Sequence, residues 1–445
     1  MSSQPAAPSD SPQPRPTALV VRTTALDGIL DSDAAALLRL LPPTGPLAWV
    51  RRGDGLVAWG EVARIETGGA SRFAEAEAAW ATMRAHAIVR DDITLPGTGP
   101  VAFGSFAFDE SSAAGGVLIV PRVVVGRRGD RSWITTITTS DAVPTLSPVP
   151  SLADVVARAG GTTPITSPGA VTYVPGAVSD ADWIDAVDEA VERIRAGRLD
   201  KVVMARDVVA HTTEPIDPRW LLTRLADSYT GCWTFSVDGM VGATPELLVR
   251  SEKGLVTSRV LAGTIRRTGG EEADVARAAV LAHSSKDLEE HEYAVTSVAQ
   301  ALEPFCQSLN VPETPFVLHL PNVLHLASDV TGVLCTSSGT APSSLSLAAA
   351  LHPTAAVCGT PTPVANELIR EIEGMDRARY AGPVGWMGAD GDGEWGIALR
   401  SASLDPDDPR RLRLFAGCGV VAASDPASEL AETEAKLEPM RHALG

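Results

Sequence analysis

The sequence lacks a surplus of basic residues, an uninterrupted apolar run of membrane length and any paired-cysteine pattern, and each absence removes a class of function. Lys and Arg number 37 against 55 Asp and Glu, a net charge of −18. So acidic a chain is repelled by phosphate backbones and anionic lipid surfaces, which argues against nonspecific nucleic-acid or membrane binding and for a soluble, cytoplasmic protein. An anionic substrate would need a local cation. The five cysteines, Cys232, Cys306, Cys335, Cys358 and Cys418, show neither CxxC nor His/Cys ligand spacing. Buried free thiols are therefore expected rather than a disulfide framework or a zinc site. From Val330 to Asn366 no charged residue occurs, yet Gly339, Pro342, Pro353, Gly359, Pro361 and Pro363 break the stretch short of the ~20 apolar residues a span requires. It reads as buried helix and loop. Residues 1–16, rich in Ser, Pro and Gln, carry no basic-then-apolar pattern and are expected to be a disordered tail without a signal peptide.

What the sequence does have is acidic faces on two helices. Near the C-terminus, Gly417 and Gly419 allow the backbone close to a ligand, and Ser424 or Asp425 can cap a helix opening on Pro426. On it Glu429, Glu432 and Lys436 fall at i, i+3 and i+7 and share one face. A solvated surface helix presents the same pattern. The chain has a second such segment, however: after Ser284 a helix predicted over 286–307 places Asp287 and Glu290 one turn apart, with His291 adjacent. Oxygen ligands on two rigid elements suit a hard divalent ion such as Mg2+, which takes one or two carboxylates, waters and the oxygens of an anionic substrate.

Residues 17–139 alternate short β-rich runs (47–50, 57–59, 101–108, 117–125) with turns, interrupted by one predicted helix over 73–88. Residues 144–168, with five prolines, read as a surface connection. Then comes a helix capped by Ser179, with Trp183, Val187, Val191 and Ile194 on one face and Gly197 as its stop. A strand follows directly, with Lys201, Val203, Ala205 and Asp207 on one face; a lysine there is commonly an exposed edge charge. Glu246 follows a proline between strands. Leu261-Ala-Gly263-Thr264 is expected where a strand ends, a turn able to hold a carboxylate through backbone N–H groups. His325 sits in an apolar strand and His352 precedes Pro353, and each by itself reads more readily as an ordinary core or loop histidine than as a site residue. Arg400 ends the apolar run Trp395-Gly-Ile-Ala-Leu. An arginine buried in a strand requires an anionic partner, which makes it the best single carboxylate-binding candidate.

In order and spelling these segments resemble the chorismate-utilising enzymes: isochorismate, salicylate, anthranilate and aminodeoxychorismate synthases. The resemblance runs from Trp183 to Met440. It is carried by Asp-Lys-Val-Val-Met-Ala-Arg206, Ala-Thr-Pro-Glu-Leu-Leu248, Leu-Ala-Gly-Thr264, Ser-Lys-Asp with Glu-Glu-His291, Leu-His-Leu-Ala-Ser328, His-Pro-Thr-Ala-Ala-Val-Cys-Gly359, Arg379-Tyr-Ala-Gly-Pro-Val-Gly-Trp386, Gly393-Glu-Trp, Arg400 and the segment 416–436. It implies an α/β (α+β type) fold. Residues 17–445 would form one large domain of mixed, mainly antiparallel sheets packed face to face with helices outside, with an N-terminal part (17–168) and a motif-bearing part (169–445).

The resemblance also implies roles. Glu290 and Glu432 would bind Mg2+, supported by Asp287, Glu429 and Lys436. Gly263, Thr264, Gly417 and Gly419 would hold the carboxylates of chorismate, Tyr380 with Arg400 its enolpyruvyl carboxylate, and His325 would line the site. Lys201 stands where water-using members carry a base, and Ala262 where aminodeoxychorismate synthases carry a nucleophilic lysine. Water is thus the implied nucleophile, no glutaminase subunit is needed, and Glu246 is the implied acid. Ala356 stands where members that go on to eliminate pyruvate have threonine, which favours isochorismate over salicylate as the end product. A noncatalytic relative would be expected to have lost one of Lys201, Glu246, Glu290 or Glu432. Whether the product feeds menaquinone or a catecholate siderophore is left open.

Overall fold

In the computed structural model the residues described are 18–26, 33–141, 151–158, 160–161, 163–335 and 341–445. The expected N-terminal tail lies outside them. Twenty-one described strands join into one continuous hydrogen-bonded network. Every pairing in it is antiparallel except that of Leu19–Ala25 with Ile88–Asp91. The sequence explains the continuity, because hairpins from distant parts of the chain pair edge to edge. Trp49 of Leu47–Arg51 lies opposite Phe235 of Trp233–Val237, and Gly104 of Val101–Phe106 opposite Gly385 of Pro383–Gly388. Leu47, Trp49, Phe103, Trp133, Trp233, Phe235 and Trp386 form one buried cluster across these pairings.

The largest core cluster lies between strands and helices. Trp183, Val187, Val191 and Ile194 of the helix Asp180–Arg195 pack there with Val202, Met204 and Ala205 of the strand Lys201–Thr212. The helix begins as its sequence predicts, with Ser179 Oγ accepting from the Asp182 N–H at 3.2 Å. Lys201–Thr212 pairs along its length with Arg411–Val420, Val203 opposite Gly419 and Ala205 opposite Gly417. Leu255–Arg266 pairs with Val323–Leu334, bringing Thr264 opposite His325. Helices Ser285–Leu302 and Pro426–Leu444 close over these strands, the second capped by Asp425, whose carboxylate accepts from the Ser428 N–H at 2.9 Å.

Several boundaries differ from the sequence reading for identifiable reasons. The helix expected over 73–88 is Arg72–Ala85, and Ile88 instead opens a strand that finds a parallel partner in Leu19–Ala25. The helix expected to reach Gln307 stops at Leu302, because Pro304 follows and Cys306–Asn310 pairs as a strand. The connection over 144–168 contains a short helix, Leu152–Arg158. Gly263 does not end a strand; it forms a bulge within one, at φ +75°, between Ala262 and Thr264. Arg400 lies between the strands Gly393–Ile397 and Ser401–Leu404 rather than inside one. The ladder breaks where the Leu399 N–H turns back to the Ile397 carbonyl at 2.7 Å and Arg400 adopts φ +49°.

Candidate active site

Two strand pairs and two helix N-terminal halves converge on one cavity of about 160 Å3. It is lined by all fifteen candidate site residues: Lys201, Glu246, Gly263, Thr264, Asp287, Glu290, His325, Ala356, Tyr380, Arg400, Gly417, Gly419, Glu429, Glu432 and Lys436. His291 and His352 do not line it. His291 turns its Nε2 to Ser328 Oγ at 2.8 Å, and His352 turns its Nε2 to the Phe108 carbonyl at 2.9 Å, the ordinary structural roles open to lone histidines.

The glycines of the Arg411–Val420 strand are required by the side chains facing them. A Cβ at Gly419 would stand 3.0 Å from Lys201 Cε and 3.1 Å from Glu290 Oε1, and one at Gly417 would stand 3.3 Å from the Tyr380 hydroxyl. The cavity is thus open because two positions of its wall carry no side chain. Tyr380 is held flat against Phe415, the rings stacked at 5.1 Å and 9°.

Charge is distributed unevenly around the cavity. Lys201 is not an exposed edge charge but is 6 % exposed, because Arg411–Val420 covers one edge of its strand and helices cover its faces; its Nζ donates to Glu290 Oε1 at 2.6 Å. Lys436 Nζ donates to the Gly417 carbonyl at 2.8 Å and pairs with Glu432 at 2.6 Å. Glu246 is buried, and burial pushes its carboxyl up to about 8 against the opposing pull of the Leu261 N–H and of Lys201, Lys436 and Arg400. At neutral pH it therefore holds a proton in the ligand-free protein.

At the far side, Arg400 Nη2 approaches His325 Nε2 at 3.1 Å. Guanidinium only donates, so His325 Nε2 accepts and its proton sits on Nδ1, which faces Thr264 Oγ1 at 3.0 Å and the Gly263 carbonyl at 3.3 Å. Burial, with the charges of Arg400 and Lys436, keeps this imidazole neutral. Arg400 Nη1 is buried without a hydrogen-bond partner, and among the described residues no carboxylate lies within ion-pair distance of this side chain. A desolvated guanidinium in that state is a receptor for an anion.

The helix carboxylates Asp287, Glu290, Glu429 and Glu432 offer oxygen donors only, a set that fits a hard divalent cation and not zinc or copper. Among the described residues no three metal-type side chains already converge on one point. Glu290 and Glu432 are each held by a lysine instead. Two wall residues, Arg377 and Phe415, lie outside every segment singled out in the sequence, and others inside those segments were given no role, Leu399 and Cys418 among them. Cys418 could have been found from its place between Gly417 and Gly419. Burial and the carboxylates of Glu429 and Glu432 raise its thiol well above the ordinary range, so it stays protonated.

Comparison with known proteins agrees with this geometry. Residues 48–445 match the family model described as chorismate binding enzyme. The chain is 43% identical over 275 residues to the isochorismate synthase DhbC of Bacillus subtilis, covering 59% of this chain and 68% of the relative. It is 34% identical over 420 residues to the salicylate biosynthesis isochorismate synthase of Pseudomonas aeruginosa, covering 89% of this chain and 84% of the relative. Among solved structures, MenF, the menaquinone-specific isochorismate synthase from Escherichia coli, superposes with a TM-score of 0.76 at 25% identity, covering 98% of this chain and 97% of that one.

Proposed function

The chain belongs to the chorismate binding enzymes, and from that premise we propose that it is an isochorismate synthase, an isomerase acting on chorismate in the cytoplasm with Mg2+ and without a glutaminase subunit. The observation that carries this reading is the presence, in one cavity, of a buried lysine and a carboxyl kept protonated, Lys201 and Glu246. The two are placed to serve as base and acid.

Lys201 accepts a proton from water as its oxygen bonds to C2 of the ring. The double bonds shift, the C4–O bond breaks, and Glu246 protonates the departing hydroxyl. One water enters and one leaves, so the net change is isomerisation. Arg400, with its unpartnered Nη1, and Tyr380 receive the enolpyruvyl carboxylate. Thr264 and the backbone around Gly417 and Gly419 receive the ring carboxylate. Neutral His325 holds Arg400 without competing for its charge. Mg2+ held by Glu290 and Glu432 would neutralise the ring carboxylate and would engage the carboxylate that now pairs with Lys201.

Incubating the purified chain with chorismate, with and without Mg2+, and separating the products tests the reading. Isochorismate formed only with Mg2+ is expected. Salicylate with pyruvate would place the chain among the enzymes that continue to elimination and would show that Ala356 does not decide the outcome. No conversion would overturn the enzymatic reading.

Glu432→Gln should raise the Mg2+ concentration required for half-maximal rate at least about tenfold, since a neutral amide is a poor ligand for a hard cation. A magnesium titration of initial rates measures this. An unchanged requirement would remove Glu432 from the metal site.

A further inference from the structure

The strand that carries Lys201 is paired on one edge from Val202 to His211 by Arg411–Val420, but its other edge is paired only at its ends. Gly359–Thr360 pairs with Lys201 and Val202, and Val171–Pro175 pairs with Val208 to Thr212. Between them the Val203 N–H still donates to the Cys358 carbonyl at 2.8 Å, but among the described residues no strand serves the Val203 carbonyl or either backbone group of Ala205, and side chains fill the ladder there. Glu373 Oε2 accepts from the Ala205 N–H at 2.8 Å, Trp183 Nε1 donates to the Ala205 carbonyl at 3.0 Å, and Arg377 Nη2 donates to the Val203 carbonyl at 2.7 Å.

Arg377 does more than fill an edge. Its Nη1 donates to the Val357 carbonyl at 3.0 Å, so one planar guanidinium bridges the strand two residues beyond Lys201 and the segment one residue beyond Ala356. Its Nε and Nη2 are fixed by the Glu373 carboxylate at 2.6 and 2.5 Å, and its face lies 4.3 Å from the Phe108 ring. The pair is almost wholly buried, 3 % and 0 % exposed. A flexible ammonium could not hold both carbonyls and the carboxylate in this planar arrangement.

We propose that Arg377, oriented by Glu373, is a positioning residue for the isomerisation: it fixes the backbone that aims Lys201 relative to the Ala356 wall of the cavity. The assignment rests on Lys201 being the base. Trp183 is the internal control, because its indole N–H fills the same open edge only at the Ala205 carbonyl, a residue that does not line the cavity, and makes no bridge to the Ala356 segment.

The test compares wild type, Arg377→Lys and Trp183→Phe as full chains with saturating Mg2+, reading kcat, KM for chorismate and melting temperature. Arg377→Lys should lose about 10- to 100-fold in kcat, the scale of an ångström-level misplacement, with KM within about twofold because the groups receiving the carboxylates are untouched. Trp183→Phe should lower the melting temperature and leave kcat within about twofold. An unchanged kcat in Arg377→Lys, or kcat losses in both variants that track their losses of melting temperature, would overturn the proposal. If Arg377→Lys does not fold, Glu373→Gln takes its place: it keeps an acceptor for the Ala205 N–H but loosens the guanidinium, so the same kcat-specific loss is expected and an unchanged kcat overturns the idea. A wild type that makes no isochorismate would sink the functional reading itself, whereas an active wild type with an unaffected Arg377→Lys would sink only the positioning role.

Discussion

Lys201→Ala should abolish isochorismate formation, lowering kcat by about 10²- to 10⁴-fold, the range contributed by a positioned general base, while chorismate still binds. The two effects separate because the substrate-receiving groups stand on other elements. Arg400 lies between two C-terminal strands, Tyr380 is stacked on Phe415, and Gly417 and Gly419 lie in the neighbouring strand. Removing the amine also takes from Glu290 the lysine that pairs with it at 2.6 Å, which does not compromise its binding of a cation. Chorismate affinity at saturating Mg2+, measured by calorimetry, should therefore stay within a few fold of wild type. Retained turnover would remove Lys201 as the base, and lost turnover with lost binding would make it a binding residue.

How much of this was legible in the sequence depends on the kind of information each element carries. The helices that present the carboxylates could be read directly, because capping residues and residue spacing are local: of the two candidates Ser424 and Asp425 it is Asp425 that caps, and the other helix, expected from residue 286, begins at Ser285 behind a Ser284 cap. The resemblance to a family supplied the assembly of remote segments, and the structure brings all fifteen expected residues to one cavity. What local reasoning could not see was pairing across long separations. Lys201 looked like an edge charge because nothing nearby in sequence says that Arg411–Val420 will cover its strand. Arg400 looked like a strand residue because its apolar neighbours do not reveal that the Leu399 N–H turns back to the Ile397 carbonyl and that Arg400 itself takes a positive φ. Arg377 passed unnoticed because its partners, the Val203 and Val357 carbonyls, are backbone groups without a sequence signature.

Glu246→Gln should cost about 10²- to 10⁴-fold in kcat, because an amide cannot deliver a proton to the departing hydroxyl, and it should also change the pH dependence of both activity and stability. In the ligand-free protein the carboxyl is raised from its ordinary 4.5 to about 8, chiefly by burial. The acid is therefore competent below about pH 8, and kcat/KM of the wild type should fall as pH rises through that value. The residual rate of the variant should lack this limb. For stability the sign follows from proton counting. Between pH 4.5 and 8 the folded protein keeps a proton on Glu246 that the unfolded chain has lost, so the contribution of this group is fully present below the lower value and is lost as pH rises through the upper one. At ~1.4 kcal/mol per unit the loss amounts to a few kcal/mol. Glutamine carries no such proton, so the gap in unfolding free energy between wild type and variant should shift in the variant's favour from pH 5 to pH 8.5. Denaturant unfolding at the two pH values measures it. A gap that does not move with pH would mean that Glu246 is not the buried, protonated acid its surroundings require.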